Sequence, residues 1–161
     1  MRCLVLADAL TSFGATCFFI CRNHPGNLAG YIRSRGYIAF ILGYKGNKPF
    51  SKDQTIHNEI GHASFLGVDW YIDAQQTREV LDEFGLNLVD WLVVDHYALD
   101  SRWQAELKKK YRKLLVIDDI ADREHICDVL LDQNFILDGA HRYSNKVGAE
   151  CMCLLGPSYA L

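Results

Sequence analysis

Apolar positions along the chain switch repeatedly between a spacing of three to four residues and short continuous runs. Over Met1–Phe13, the residues Cys3, Leu6, Leu10 and Phe13 recur on one helical face, and Gly14 follows as a stop. Thr16–Cys21 is instead a continuous apolar run, closed by Arg22-Asn23-His24-Pro25-Gly26, and predicts a buried strand. Helical spacing returns over Asn27–Arg35 through Leu28, Tyr31 and Ile32, ends at Gly36, and gives way to a second predicted strand, Tyr37–Leu42. From Gly43 to Asp69 no period is sustained, and Gly46, Pro49, Gly61 and Gly67 break the stretch. A loop this long inside a compact domain tends to be functional or mobile. Asp73 with Gln76 three residues on is a capping-box pattern. It predicts a helix that turns Thr77, Val80, Leu81 and Phe84 inward and stops at Gly85. Trp91–Asp95 is the plainest strand. A helix is expected over Ser101–Tyr111, with Trp103 and Leu107 one turn apart and Lys108–Lys110 at the end where the helix dipole favours cations. Leu114–Asp118, Val129–Leu131 and Met152–Leu155 predict three more strands.

Near-continuous apolar strands separated by helices imply parallel strands covered on both faces. The expected fold class is therefore α/β, a doubly wound, mostly parallel, Rossmann-like sheet. No internal repeat or low-complexity linker divides the chain, so residues 1–161 are expected to form one domain. Such sheets usually begin with a strand and a glycine-rich turn, whereas this sequence opens on a helix. The expectation is thus a domain without its first strand, with a gap beside the strand ending at Asp95 and a tendency to associate through the unpaired edge.

Composition narrows the picture. The 161 residues and 18.3 kDa suit one domain, and 50% hydrophobic residues with only three prolines exclude disorder and collagen-like structure. A net charge of −3 gives no basis for electrostatic binding to nucleic acid or to an anionic membrane. No apolar run approaches the ~18 residues of a membrane span. Asp8 interrupts the N-terminal apolar run before any signal-peptide cleavage pattern. The six cysteines read as reduced core residues of a cytoplasmic protein, because a chain of this size has no need of disulfide staples.

In open parallel sheets, ligands bind at the carboxyl ends of the strands. That rule selects Asp95-His96-Tyr97 after one strand and Asp118-Asp119 after another. A carboxylate there could orient a histidine, hold a sugar hydroxyl or act as a base. Equally, Asp118 or Asp119 could cap the next segment, and His96 could pack as a neutral, satisfied side chain. Other patterns fail on spacing. His57 and His62 are five apart with Glu59 two along, whereas a zinc helix needs histidines four apart with glutamate beside the first; the stretch reads as a polar loop. Cys17 and Cys21 would lie about 13 Å apart on a strand, too far to share a metal. Cys151 and Cys153 face one side of a strand, with no second pair to complete a site. No glycine loop cradles a phosphate and no serine sits in a nucleophile elbow. Trp70, Trp91 and Trp103 are scattered and read as core anchors. Neither a metal nor a cofactor is expected.

Several motifs in order carry a resemblance. They are Met1-Arg2-Cys3-Leu4 with Leu6-Ala7-Asp8-Ala9-Leu10, Phe19-Ile20-Cys21-Arg22, and Leu66-Gly67-Val68-Asp69-Trp70 with Asp73-Ala74 and Thr77. Asp90-Trp91-Leu92-Val93-Val94-Asp95-His96-Tyr97 and Val116-Ile117-Asp118-Asp119-Ile120-Ala121-Asp122-Arg123 are the strongest. Cys127-Asp128, Leu130-Leu131-Asp132-Gln133-Asn134 and Leu155-Gly156-Pro157-Ser158-Tyr159-Ala160-Leu161 complete the series. Together they span essentially the whole chain. In these motifs the sequence resembles the UDP-2,4-diacetamido-2,4,6-trideoxy-β-L-altropyranose hydrolases of pseudaminic acid biosynthesis.

The resemblance implies most of the N-terminal domain of a glycosyltransferase-B-type fold, without the C-terminal domain that binds the nucleotide. It implies a UDP-sugar substrate in the complete enzyme, cleavage between the anomeric carbon and the UDP oxygen by water with inversion, and no metal. Tyr97 matches the family's functional tyrosine. Arg2, Asp95, His96, Asp119, Asn134 and Tyr159 are the implied pocket residues. The family places its water-positioning histidine in a Gly-x-Gly-His turn ahead of the segment matched by Met1-Arg2, so the resemblance by itself implies little hydrolysis by these 161 residues. Two other readings stand beside it. One is a related transferase acting on an acceptor sugar. The other is a non-catalytic remnant that binds a sugar or a partner protein in the same crevice.

Overall fold

In the computed structural model, which describes residues 1–43, 62–137 and 139–161, α1 spans Arg2–Ser12, β1 Phe18–Arg22, α2 Ala29–Ser34 and β2 Ile38–Leu42. These elements belong to the first of two units, Met1–Thr55. β1 and β2 pair in parallel from Phe18↔Ile38 to Arg22↔Leu42, the geometry a β-α-β crossover through α2 requires. The core of this unit joins Leu4, Ala29, Ile32 and Ala39, with Phe19, Cys21, Tyr37 and Ile41 packed against it. α1 turns Leu4 and Ala7 inward, one turn apart, so its buried stripe is offset from the one expected. Leu10 faces solvent, and Phe13 is 90% exposed because it is the C-cap residue, beyond the last helical turn. Asp8 ties α1 to the next crossover through Arg35 and Tyr37, each at 2.7 Å.

The second unit, Ile56–Ala160, holds the larger sheet. α3 spans Trp70–Glu83, β3 Val89–Val94, α4 Ser101–Glu106, β4 Tyr111–Ile117, β5 Val129–Asp132 and β6 Met152–Leu155. The strands lie in the order β3-β4-β5-β6, all parallel, so spatial order follows chain order and all four carboxyl ends share one edge. The fold is α/β with parallel sheets, a Rossmann-like arrangement. The described residues form two sheets, of two and four strands, where one was expected. β3 has β4 as its one hydrogen-bonded neighbour among them, and Trp91 is consequently 49% exposed rather than a core anchor. Among the described residues only one crossover in this sheet carries an α-helix, α4, and the β5–β6 connection has a 3₁₀ turn at Gly139–His141.

Local chemistry explains where the elements depart from expectation. α3 starts a turn early because Asp69, in extended backbone, accepts from the Tyr71 amide at 2.8 Å. Asp73 therefore sits inside the first turn, buried, and its carboxylate accepts from the Trp103 indole at 2.9 Å. Thr77 and Leu81 point inward as expected, Val80 is half-buried, and Phe84 is a C-cap residue 55% exposed. Asp100 caps α4 by accepting from the Arg102 and Trp103 amides. That helix ends at Glu106 rather than Tyr111, since Tyr111 pairs with Val89 in the ladder and donates its hydroxyl to the Gln104 carbonyl at 3.0 Å. A 3₁₀ turn, Lys108–Lys110, joins them.

Leu114, Val116, Leu130, Trp103, Leu107 and Tyr143 build the centre of this unit's core, each at most 4% exposed. Of the six cysteines, which form no disulfide, only Cys127 is buried; Cys153 is exposed and the other four are intermediate, against the expectation that all are core. Cys127 and Cys151 approach to 3.5 Å between their Sγ atoms. No helix among the described residues is long and apolar enough to cross a membrane.

Because Leu114 is fully enclosed on the middle of β4 and Trp91 stands at the sheet edge, truncating them should have unequal effects. Leu114→Ala is expected to lower unfolding free energy by roughly 2–5 kcal/mol and Trp91→Ala by clearly less, measured by urea denaturation followed by far-UV circular dichroism. Equal losses would contradict this placement of the core.

Candidate functional site

β4 ends at Ile117, and the next residue, Asp118, is fully buried. Its carboxylate accepts from the Ala121 amide at 2.9 Å, closing a tight turn in which Ala121 adopts φ +56. That left-handed conformation costs a non-glycine residue about 1 kcal/mol, which the turn holds in place. Arg123, equally buried, forms an ion pair with Asp118 at 2.9 Å. It also donates to the Leu99 carbonyl at 3.1 Å, the His96 carbonyl at 3.3 Å and the Asp122 carboxylate at 2.7 Å. One guanidinium therefore joins the loop after β3 to the loop after β4.

A second buried layer supports it. Gln104 accepts from the Ile126 amide at 2.8 Å through its carbonyl oxygen, so its amide nitrogen donates to His125 Nδ1, also at 2.8 Å. The ring proton of His125 is thereby assigned to Nε2, which stands 4.0 Å from Asp118 and has no hydrogen-bond partner. Burial, helped by the Arg123 charge and opposed by Asp118, Asp100 and Asp122, pulls the His125 pKa down to about 4. Tyr143 Oη lies 3.0 Å from both the Asp118 carbonyl and the Asp132 carboxylate. Burial and those two acidic residues push its hydroxyl far up, so it stays protonated.

The groups this frame presents are partly exposed. The Tyr97 hydroxyl donates to the Asp119 carboxylate at 3.3 Å, joining the two strand-end motifs singled out in the sequence. Beside Tyr97 stands the ring of His62, with centroids 5.9 Å apart, and Phe65 flanks His62 at 5.4 Å. His62 Nδ1 lies 3.1 Å from the Asp122 carboxylate. Burial alone would raise the Asp122 pKa, but hydrogen bonds from Arg123 and His62 and the Arg123 charge outweigh it and hold the carboxyl below its usual range. The arrangement is a carboxylate–imidazole pair next to a carboxylate-bound phenol, at the carboxyl edge of a parallel sheet. Such groups bind hydroxyls and move protons.

The remaining expected residues fall differently. His96 is half-buried on its own loop, its Nδ1 accepting from the Ala98 amide at 3.1 Å. Asp95 is half-buried in the same turn. Asn134 and Tyr159 line a cavity of about 500 Å³ at the ends of β5 and β6, with Asp132, Phe135 and Leu155. Arg142 connects that cavity to the first group, since it bonds Asp132 at 3.1 Å and the Asp119 carbonyl at 2.7 Å. Arg2 opens α1 in the first unit, whereas every group just described belongs to the second.

Sequence reading missed His62 as a partner of Tyr97. It weighed that histidine only as a zinc ligand with His57, which lies outside the described residues. Among the described residues no group of three or more His, Cys, Asp or Glu side chains is placed to hold a metal ion. The pairing of His62 with Asp122 spans 60 residues, and no local spacing could announce it. No protein-family model matches this chain, and no curated protein matches it.

The buried histidine gives a pH test. The native state keeps His125 neutral down to pH about 4, while the unfolded chain protonates a histidine near its ordinary value of about 6.5. Below that value the unfolded state binds a proton that the native state refuses, so stability falls as pH drops from about 6.5 to 4, by on the order of 3 kcal/mol. Thermal unfolding between pH 7.5 and 4.5 should show this slope, and His125→Gln should flatten it. A slope unaltered by the substitution would contradict the assignment.

Proposed function

We propose that this chain carries the sugar-handling site of a nucleotide-sugar hydrolase, acting on UDP-2,4-diacetamido-2,4,6-trideoxy-β-L-altropyranose to give UDP and the free sugar with inversion. The observation that carries the proposal is the Tyr97–Asp119 contact at the carboxyl edge of the parallel strands, which unites the two motifs of strongest resemblance. Hydrolysis of a glycosyl phosphate needs a water aligned on the face opposite the leaving group and polar groups that hold the sugar's hydroxyls and acetamido groups in register. A phenol whose proton is held by a carboxylate presents its oxygen lone pair, and the carboxylate a further acceptor, in a defined direction. Arg142 extends the polar edge towards the cavity lined by Asn134 and Tyr159. Six thiols that form no disulfide go with the reducing cytoplasm, the compartment in which this reading places the chain.

Amide chemical shifts of the chain, followed during titration with this sugar nucleotide, are expected to move at residues 95–97 and 119–122. Whatever turnover occurs should deliver UDP and free sugar in equal amounts with no acceptor present. Tyr97→Phe is expected to lower turnover roughly 100-fold, the order of loss for one oriented hydrogen-bonding group, while the melting temperature stays within a few degrees. Release of UDP only after an acceptor sugar is added would favour the transferase. Unmoved resonances at the strand ends would refute the site.

A further inference from the structure

We propose that the thiols of Cys127 and Cys151 form a redox modification site, which a hydroperoxide closes to a reversible disulfide. The site lies at the amino ends of β5 and β6, the sheet edge opposite Tyr97 and Asp119, and it stands independently of the hydrolase reading. Three observations carry it. The two Sγ atoms are 3.5 Å apart, in direct contact, so an S–S bond of ~2.05 Å needs only about 1.5 Å of further approach. The backbone beside them is already paired. The Asp128 amide donates to the Leu114 carbonyl and the Met152 amide to the Asp128 carbonyl, each at 2.9 Å, which holds the two thiols side by side. Finally, the pair is unequal in access. Cys127 is 9% exposed and belongs to the core, Cys151 packs against that core half-buried, and Cys153, two residues on, is exposed. Solvent and a small oxidant therefore meet Cys151 first, with Cys127 behind it.

The chemistry gives each sulfur a separate role. Burial, and after it the neighbouring Cys151 thiol, push the Cys127 thiol up, so it keeps its proton and is a poor first nucleophile. Cys151 is the sulfur oxidised first. Its thiolate attacks one oxygen of the hydroperoxide; an S–O bond forms, the O–O bond breaks, and the alcohol or water leaves, giving a sulfenic acid. The Cys127 sulfur then attacks the Cys151 sulfur. An S–S bond forms, the S–O bond breaks, and the oxygen departs as water with the Cys127 proton. Two thiols are oxidised by two electrons, and the hydroperoxide is reduced by two. Contact between the sulfurs offsets the poor nucleophilicity of Cys127, since the second step needs no encounter. Cys153 is also near, its Sγ 4.0 Å from the Cys151 carbonyl, but a bridge between residues two apart on one extended segment strains the backbone. Cys127 reaches Cys151 from the neighbouring chain segment instead. In a reducing compartment such a disulfide is transient, made under oxidant and reversed by thiols.

The test uses the full chain, reduced, desalted and treated with hydrogen peroxide, then read by intact mass and by tryptic mapping after the remaining thiols are blocked. The expected product is a monomer lighter by two hydrogens. In it the peptide 124–142, which holds Cys127, is joined to the peptide 147–161, which holds Cys151 and Cys153. Dithiothreitol should restore the starting mass. Cys153→Ser should form the link as the wild type does, whereas Cys127→Ser and Cys151→Ser should not. Since Cys153 is exposed, its variant keeps the test independent of any substitution in the core. The linked chain should also melt several degrees higher than the reduced one, because the bond closes a loop of about 25 residues in the unfolded state. Thiols that stay free, oxygen adducts without a link, a link lost in Cys153→Ser, or covalent dimers would each overturn the proposal.

Discussion

The buried ion pair between Asp118 and Arg123 is the constraint on which the rest of the second unit depends. Both side chains are at most 2% exposed, so each has lost its hydration and must recover it from the protein. Asp118 does so through the Ala121 amide and Arg123. Arg123 does so through two carbonyls of the β3 loop and the Asp122 carboxylate. A pair this deeply buried adds little net stability compared with apolar residues of the same volume, but removing one partner strands the other at a cost of about 3–5 kcal/mol. Its consequence is geometric. The two loops that follow β3 and β4 can adopt few conformations other than the one that satisfies the guanidinium, and Ala121 accepts a left-handed backbone to allow it.

From that lock the site follows in two layers. The inner layer is chemically quiet at neutral pH: His125 is neutral and Tyr143 protonated, because burial disfavours the charged form of each. The outer layer consists of Tyr97, Asp119, His62 and Asp122, each hydrogen-bonded within the site and still partly exposed. A rigid interior holding a polar, half-exposed rim is the arrangement that pre-orients groups for a ligand without closing them off. The shared edge arises from strand order, since four parallel strands in chain order bring every following loop to the same end.

The strands were legible because parallel strands of an α/β sheet carry unbroken apolar runs, and Leu114–Ile117 and Leu130–Leu131 supply them in the core, while Trp91–Val94 supplies one although Trp91 at the sheet edge stays exposed. Helix ends were less legible. Asp69 and Asp73 are both good caps by residue type, and only the indole of Trp103, thirty residues away, decides that Asp73 is a buried acceptor. Phe13 and Phe84 read as core by their spacing, yet each falls one residue past its helix, where the chain turns outward. For the site, the strand-end rule located Tyr97 and Asp119 without revealing that they touch. His62 was invisible as a partner of Tyr97, because its place is set by the fold and its flanking sequence, broken by Gly61 and Gly67, has no period.

The most direct measurement is a crystal structure of the chain grown with UDP-2,4-diacetamido-2,4,6-trideoxy-β-L-altropyranose. The prediction is a sugar ring between Tyr97 and His62, with Tyr97 Oη within hydrogen-bond distance of a ring substituent and Asp118–Arg123 unchanged beneath. A ligand held only in the cavity of Asn134 and Tyr159, with Tyr97 and His62 untouched, would contradict it.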